Sequence, residues 1–169
     1  MKTKLGEDDG RLMDKVRQYL EAHHTMTIAT FDAQRNVPHA ACVFYAVDEK
    51  LHLVFLSKRT STHAVHIGDG APVAVTVSED YAEWELIQGV QLWGEAHKLT
   101  GMAKARAFAR YVRRFPFAEA LLARREFAEL AQSLGVYEVV PKRVAFTDNT
   151  TGCFGREILE LKSAGKQAN

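Results

Sequence analysis

The segment LHLVFLSKRTSTHAVHI, residues 51–67, changes character halfway along its length. From Leu51 to Ser57 successive residues alternate between two faces, which is the period of a β-strand. The following KRTSTH, residues 58–63, combines two cations with hydroxyl side chains, and AVHI at 64–67 is compatible with a helix. Hydroxyls, cations and the unpaired N–H groups of a helix N-terminus are what an anion needs. We therefore predict a phosphate site at this junction.

Further strands are predicted on both sides of this segment, from runs of β-branched and aromatic residues bounded by turn formers. The predicted strands are residues 26–31, 38–47, 51–57, 71–77 and 84–99, and a final strand made of 136–140 and 143–146. Five or six mostly antiparallel strands interrupted by helices predict a small closed barrel, because closure removes exposed strand edges. The expected fold class is therefore α+β, a β-barrel with helical insertions.

Helical patterns divide the chain further, and all of it fits a single domain, residues 1–169. A first helix, about 9–24, is capped by Asp8 or Asp9 and carries an apolar side for packing. The barrel strands cover about 25–99. A helical insertion, about 100–134, breaks at Phe115-Pro116 and ends at Gly135. The final strand and a C-terminal loop occupy about 136–161.

The overall charge gives no guide to a partner. The chain has 22 Lys and Arg against 21 Asp and Glu, so no global field attracts nucleic acid or an anionic membrane. Any anion specificity must be local. No apolar run approaches the roughly 20 residues of a membrane span, and the N-terminal MKTKLGEDDGRL lacks the apolar core of a signal peptide. We expect a cytoplasmic protein.

Neither the cysteines nor the histidines suggest a metal site. Cys42 and Cys153 have no zinc-like or redox spacing, so reduced thiols are expected, with Cys42 a small buried residue. His63 and His66 are three residues apart on a predicted helix, but no carboxylate or cysteine completes a ligand set. We predict no metal.

The landmarks PHAACVFYAVDEKLHLVFLS, the turn from Ser57 to His63, APVAVTV and IQGVQLWGEAHKL resemble the FMN-binding split barrels related to pyridoxamine 5'-phosphate oxidase. RRFPFA at 113–118 and FTDNTTGCFG at 146–155 resemble an uncharacterised YhbP-like subgroup of these barrels. The resemblance implies a homodimer with FMN at its interface and an oxidoreductase activity on an unknown small molecule.

The resemblance also implies which residues hold the cofactor. The phosphate would lie at the turn after the third strand, and the flavin edge along the strand that contains Ala41 to Phe44. Gln91 and Trp93 share a strand face and would offer an amide and an indole, while Asn149 would line the pocket. The implied cofactor residues are Ala41, Cys42, Val43, Phe44, Ser57, Lys58, Arg59, Ser61, Thr62, His63, Gln91, Trp93 and Asn149. No catalytic side chain is implied, because the cofactor supplies the chemistry.

One departure from the family bears on the activity. The oxidase has an Arg-Lys pair where this chain has Thr62-His63, and its C-terminal arginine and histidine pattern for the pyridoxal substrate is not recognisable here. Lys58 and Arg59 could replace the lost charge with a different geometry. This argues against vitamin B6 oxidation and leaves flavin binding as the expectation. The alternatives are a non-enzymatic flavin or haem binding or sensor protein, and a deazaflavin-dependent reductase.

Overall fold

The computed structural model describes residues 5–152 and 155–161 of the chain. The strands are β1 (Thr25–Asp32), β2 (Val37–Val47), β3 (Leu53–Lys58), β4 (Ala71–Ser78), β5 (Gln88–Lys98), β6 (Leu134–Asp148) and β7 (Arg156–Glu160). The helices are α1 (Leu5–Ala22), α2 (Thr62–Ile67), α3 (Gly101–Arg114), α4 (Pro116–Leu122) and α5 (Ala128–Ser133). Short 3-10 turns lie at Trp84–Leu86, Arg125–Phe127 and Asn149–Thr151.

The sheet closes on itself. Its strand order is β3-β2-β1-β4-β5-β6-β7, and β3 pairs in addition with β6. Every pairing is antiparallel. Six strands therefore form a ring, and β7 extends it beyond β6. This confirms the predicted β-barrel with helical insertions, and closure leaves few unpaired strand edges for other chains to meet.

Side-chain alternation along the strands builds the barrel core. On β1, Met26, Ile28 and Thr30 are buried, while Thr27 and Ala29 between them are exposed. The two faces of β3 are used differently: Phe55 belongs to the main core inside the barrel, whereas Val54 belongs to a second apolar cluster outside it. The sequence of β3 is apolar on both sides because both of its faces are covered.

Helix α1 packs on the barrel through its predicted apolar side. Leu12, Val16 and Leu20 join the main core. Tyr45 on β2 donates its hydroxyl to the carbonyl oxygen of Leu20 at 2.7 Å, which ties the end of α1 to the barrel. The helix begins and ends earlier than the predicted 9–24. Among the described residues, no helix is both long and apolar enough to cross a membrane.

The predicted helical insertion covers the outside of β3 and β6. Ala107 and Tyr111 of α3 and Phe115 at the predicted break pack against Val54 and Val136. Pro116 begins α4, where its missing N–H costs no helical hydrogen bond. The insertion is thus a set of short helices over one side of the barrel.

Other boundaries also differ from the sequence prediction. Residues Trp84–Leu86 form a 3-10 turn, so the extended segment begins at Gln88. Gly135 does not end a helix but lies inside β6, where an added Cβ would meet the ring of Tyr137 at 2.7 Å. The predicted C-terminal loop contains strand β7. Only Leu159 of β7 is buried, so its sequence has little of the alternation that reveals a strand.

A bulge at the centre of the barrel depends on a glycine. Trp93 on β5 pairs with Arg143, but the next residue, Gly94, pairs with Pro141, so Lys142 is the extra residue on β6. A Cβ on Gly94 would lie 2.2 Å from the carbonyl oxygen of Val140. Only glycine lets the two backbones approach this closely.

Candidate functional site

The turn between β3 and α2 brings three of the predicted phosphate residues together. The Ser57 hydroxyl oxygen lies 2.9 Å from that of Ser61 and 2.7 Å from Nε2 of His63. Ser61 also lies 3.2 Å from the same Nε2 and donates to the carbonyl oxygen of Lys58. Two hydroxyls and an imidazole therefore converge on one point at the end of the barrel.

The other residues of this turn are placed differently. The Lys58 side chain is exposed, and Thr62 is exposed at the first position of α2. The guanidinium of Arg59 donates to the carbonyl oxygen of Leu134 at 3.3 Å, so it points towards the start of β6. The structure thus keeps the two cations at the edge of the hydroxyl cluster instead of inside it.

Two more histidines surround His63. The ring of His39 on β2 stacks on that of His63 with centroids 6.0 Å apart, and it meets the ring of His66 edge-on at 5.9 Å. His66 contacts the hydroxyl of Thr30 at 3.0 Å and lies 4.0 Å from the Asp32 carboxylate. Three imidazoles from one strand and one helix therefore line the same end of the barrel.

The protonation state of His63 follows from its surroundings. Its side chain is only 7% exposed, and burial lowers its pKa, as does the repulsion of a charge on His39 or His66. Its ring is therefore neutral at pH 7 in this structure. A neutral imidazole has one donor and one acceptor nitrogen, so a serine hydroxyl can donate to Nε2.

The four β2 residues implied at the flavin edge do not share one face. Ala41 and Val43 are half-buried and pack against the core, whereas Cys42 and Phe44 are exposed on the outer side. Cys42 is a free thiol, and the expectation that it is buried is wrong for a single chain, since strand alternation turns it outward. Cys153 lies outside the described residues.

Gln91 and Trp93 lie on the same outer face as Cys42. Cys42 pairs with Thr27, Thr27 with Thr76, and Thr76 with Gln91, so one row crosses four strands. Arg156 on β7 donates to Oε1 of Gln91 at 2.7 Å. Its guanidinium and that of Arg143 lie over the Trp93 ring, at 5.9 and 5.5 Å from the ring centroid. Both implied residues are thus held from the β7 side of the sheet.

Asn149 lies at the other end of the strands. It follows Asp148, which pairs with Gln88 on β5. The histidine cluster lies near a different row of paired residues, which runs from Ala29 through Ala74 and crosses β5 at Trp93. Five residues of strand separate these rows, roughly 17 Å. Asn149 donates to the carbonyl oxygen of Trp84 at 2.7 Å, and its buried Oδ1 has no partner among the described residues. The structure therefore does not bring Asn149 to the turn within one chain.

The Asp148 carboxylate beside Asn149 is a fixed negative charge. It accepts hydrogen bonds from the hydroxyl of Thr150 at 2.6 Å and from Gln88 at 3.0 Å, and Lys15 lies 3.2 Å away. Burial alone would raise the pKa of Asp148, but these contacts outweigh it and lower the pKa to about 2. Asp148 thus joins β5, β6 and α1, which is a structural role.

A second cluster of titratable residues lies at the β2–β3 turn, away from the implied cofactor residues. Nδ1 of His52 lies 3.8 Å from the Asp48 carboxylate and 3.6 Å from that of Glu138, and their ligand atoms are close enough to hold a metal ion. Arg110 lies 3.4 Å from Asp48 and already balances its charge. The contact with Glu138 raises the pKa of His52. The charges in this cluster are therefore paired with one another as an ion-pair network.

The sequence identified Ser57, Ser61 and His63 but did not predict that His39 and Thr30 lie beside them. His39 lies opposite Thr30 in the β1–β2 pairing, and Thr30 contacts His66 on α2. The available signal was the strand register, which places His39 on the inward side with Ala41 and Val43. Reading it requires knowing that α2 covers that end of the barrel.

Comparison with known proteins identifies the family of the chain. The family model described as pyridoxamine 5'-phosphate oxidase matches residues 12–148. The UPF0306 protein YhbP of Escherichia coli O157:H7 is 32% identical over 153 residues, covering 90% of this chain and 95% of that protein.

Solved structures share the fold at low identity. A heme binding protein from Mycobacterium smegmatis superposes with a TM-score of 0.69 at 17% identity, covering 88% of this chain and 57% of that one. A FAD-binding protein from Mesorhizobium loti gives 0.60 at 13% identity, covering 76% and 88%. At such identities these likenesses show the split-barrel fold alone. The family match over most of the sequence goes further: the chain, which is similar to the UPF0306 protein YhbP, belongs to the pyridoxamine 5'-phosphate oxidase family.

Proposed function

We propose that this protein is a cytoplasmic FMN-binding flavoprotein of one domain, a homodimer with FMN at its interface, and an oxidoreductase acting on a small molecule. One observation carries the proposal: Ser57, Ser61 and His63 converge within 2.7 to 3.2 Å at the turn where the family places the cofactor phosphate. Hydroxyl and imidazole groups are hydrogen-bond donors to phosphate oxygens.

The donor set fits a phosphate monoester. The two serine hydroxyls can turn from their mutual contact towards an anion, since a hydroxyl hydrogen rotates freely. Lys58 and Arg59 stand at the edge of the cluster and add positive charge without occupying it. Thr62, exposed at the start of α2, offers a third hydroxyl. These residues would hold the phosphate end of FMN.

The outer face of the sheet is suited to pair with a second copy. The outward residues of β1, β2 and β4 include no charged side chain. They are Thr25, Thr27, Ala29, Phe31, Pro38, Ala40, Cys42, Phe44, Pro72, Ala74, Thr76 and Ser78. Phe31 is 50% exposed and Phe44 is 45% exposed. An uncharged surface with exposed aromatic rings is typical of a protein interface.

A dimer through this face would unite the remaining implied residues. Cys42, Phe44, Gln91 and Trp93 face outward and would lie at the interface, beside the backbone of Ala41 and Val43. Asn149 can complete the cofactor site only from the second protomer, because of its distance from the turn within one chain.

Bound FMN would supply hydride transfer at its N5 position. The part of this chain is to fix the phosphate at the β3–α2 turn, to orient the ring along β2 and to exclude water with the outer face. We assign no side chain to proton transfer. The Thr62-His63 pair, in place of two cations, favours a substrate other than pyridoxamine 5'-phosphate.

Removing two hydroxyls from the turn tests the cofactor site. We expect purified protein to retain an FMN absorbance spectrum after desalting, and NAD(P)H to bleach it if the protein is an oxidoreductase. The double variant Ser61→Ala, Thr62→Ala should bind FMN about 10- to 100-fold more weakly, because hydrogen bonds to a charged phosphate are lost. Fluorescence titration measures both affinities.

The control is Thr100→Ala, which removes an exposed hydroxyl at the start of α3 and should leave the affinity for FMN unchanged. Unaltered FMN binding by the double variant would refute the phosphate assignment. A Soret band with haem and no flavin binding, or binding of a deazaflavin in preference to FMN, would replace the proposed cofactor.

A further inference from the structure

His63, at one of the two positions where the resemblance implies a cation, forms a cluster with His39 and His66. Among the described residues this cluster makes no ion pair closer than the 4.0 Å contact of His66 with Asp32. Resting on the FMN site proposed above, we propose that the phosphate of FMN is bound together with one proton, which is taken from solvent and held on His63. The affinity for FMN therefore rises as the pH falls, and the affinity for riboflavin, which has no phosphate, does not.

The hydrogen bonds around Nε2 of His63 explain why binding takes up a proton. Without a ligand, the Ser57 hydroxyl at 2.7 Å can donate to this nitrogen, while Ser61 donates to the Lys58 carbonyl oxygen, and the neutral ring is satisfied. When the Ser57 hydroxyl turns towards a phosphate oxygen, Nε2 loses its donor and faces an anion. A protonated Nε2 then donates to the phosphate, which is the stronger, charge-assisted hydrogen bond.

Burial of His63 strengthens the attraction between its protonated ring and the phosphate. His63 is 93% buried, so solvent screens little of the attraction between its charged ring and a phosphate. In the ligand-free protein the same burial disfavours the charge, and burial with the repulsion of His39 and His66 lowers the pKa of His63. A phosphate dianion reverses the balance. The ring is thus neutral before binding and charged after it at neutral pH.

The neighbouring charges act in a consistent direction. His39 approaches from β2 and His66 from α2, and a positive charge on either would oppose a proton on His63. Asp32 on β1 lies beside His66, not His63. The side chains of Lys58 and Arg59 are exposed, and Arg59 points to Leu134. Within the described residues, no carboxylate contacts His63, so the phosphate would be its first anionic partner.

The sign of the pH dependence follows from linkage. Binding takes up a proton wherever the pKa of His63 is higher in the complex than in the free protein. Between the lowered pKa of free His63, below 6.5, and its raised value in the complex, affinity should fall about tenfold for each pH unit gained. Below about pH 6 the phosphate itself accepts a proton, and the increase should level off.

The experiment is a calorimetric and fluorescence titration with FMN and with riboflavin from pH 6 to 8.5 at constant ionic strength. Calorimetry in two buffers of different ionisation enthalpy counts the protons taken up by the unaltered protein. We expect close to one proton with FMN at pH 7.5 and none with riboflavin. FMN affinity should drop about tenfold between pH 6.5 and 7.5, and riboflavin affinity should stay constant.

Two variants test the assignment to His63. His63→Gln retains a hydrogen-bonding side chain that cannot titrate, so its FMN affinity should be independent of pH. The matched control His24→Gln, at an exposed histidine before β1, should keep the pH dependence. FMN binding without proton uptake, or an unchanged pH profile in His63→Gln, would overturn the inference and leave the FMN site standing. No FMN binding at any pH would overturn both.

Discussion

Ala29→Arg is expected to convert the proposed dimer into a folded monomer that no longer retains FMN. Ala29 is exposed on β1, between Ala40 of β2 and Ala74 of β4, and its row continues to Trp93. A guanidinium there is harmless to the single chain, because it remains in water. In the dimer it would be buried without a partner.

The size of the effect comes from symmetry. A twofold interface contains each substituted residue twice, so two unpaired charges are desolvated in each dimer. An uncompensated buried charge costs several kcal/mol, which corresponds to a dissociation constant raised at least ~100-fold. FMN binding should be lost at the same protein concentration, because the proposed flavin site is completed by the dimer interface.

Light scattering coupled to size exclusion measures the mass, and fluorescence measures retained FMN. Ala105→Arg is the matched control: it places the same side chain at an exposed alanine of α3 and should leave both dimer and cofactor intact. Circular dichroism should show the same fold for both variants. A dimeric Ala29→Arg protein would show that the outer face of β1, β2 and β4 is not the interface.

The sequence predicts those parts of the molecule that depend on neighbours along the chain. The β3–α2 turn is predictable because alternation from Leu51 to Ser57 and the polar residues after it are both local signals. The packing side of α1 is predictable for the same reason. These predictions required no knowledge of which strands pair.

The parts that the sequence missed depend on residues far apart in the chain. His39 meets His63 only because β1 pairs with β2 and α2 covers their end, and no local pattern reveals this contact. Gly135 resembles a helix terminator, yet a tyrosine ring two residues later explains it. The resemblance implies that Asn149 lines the cofactor pocket, while strand register separates it from the β3–α2 turn within one chain.

The role of Gly94 also depends on residues far away in the chain, and substituting it is expected to have a large effect on stability. In the sequence it is one small residue in an alternating strand, and only the opposing Val140 and Pro141 explain it. A Cβ there would lie 2.2 Å from the carbonyl oxygen of Val140 and 2.8 Å from Cα of Pro141. Both are backbone atoms of a closed barrel, so no side-chain rotation can relieve the overlap.

Gly94→Ala should therefore lower the free energy of unfolding by about 3 kcal/mol or more, or prevent folding. Gly10→Ala is the control: nothing described lies within 4 Å of its added Cβ, and an exposed helical position should gain about 0.5 to 1 kcal/mol. Urea unfolding at one fixed protein concentration compares them, because dimer stability depends on concentration. Equal stability of the two variants would mean that β5 and β6 are not paired through this bulge. The strand register that places Trp93 on the outer face would then also be wrong.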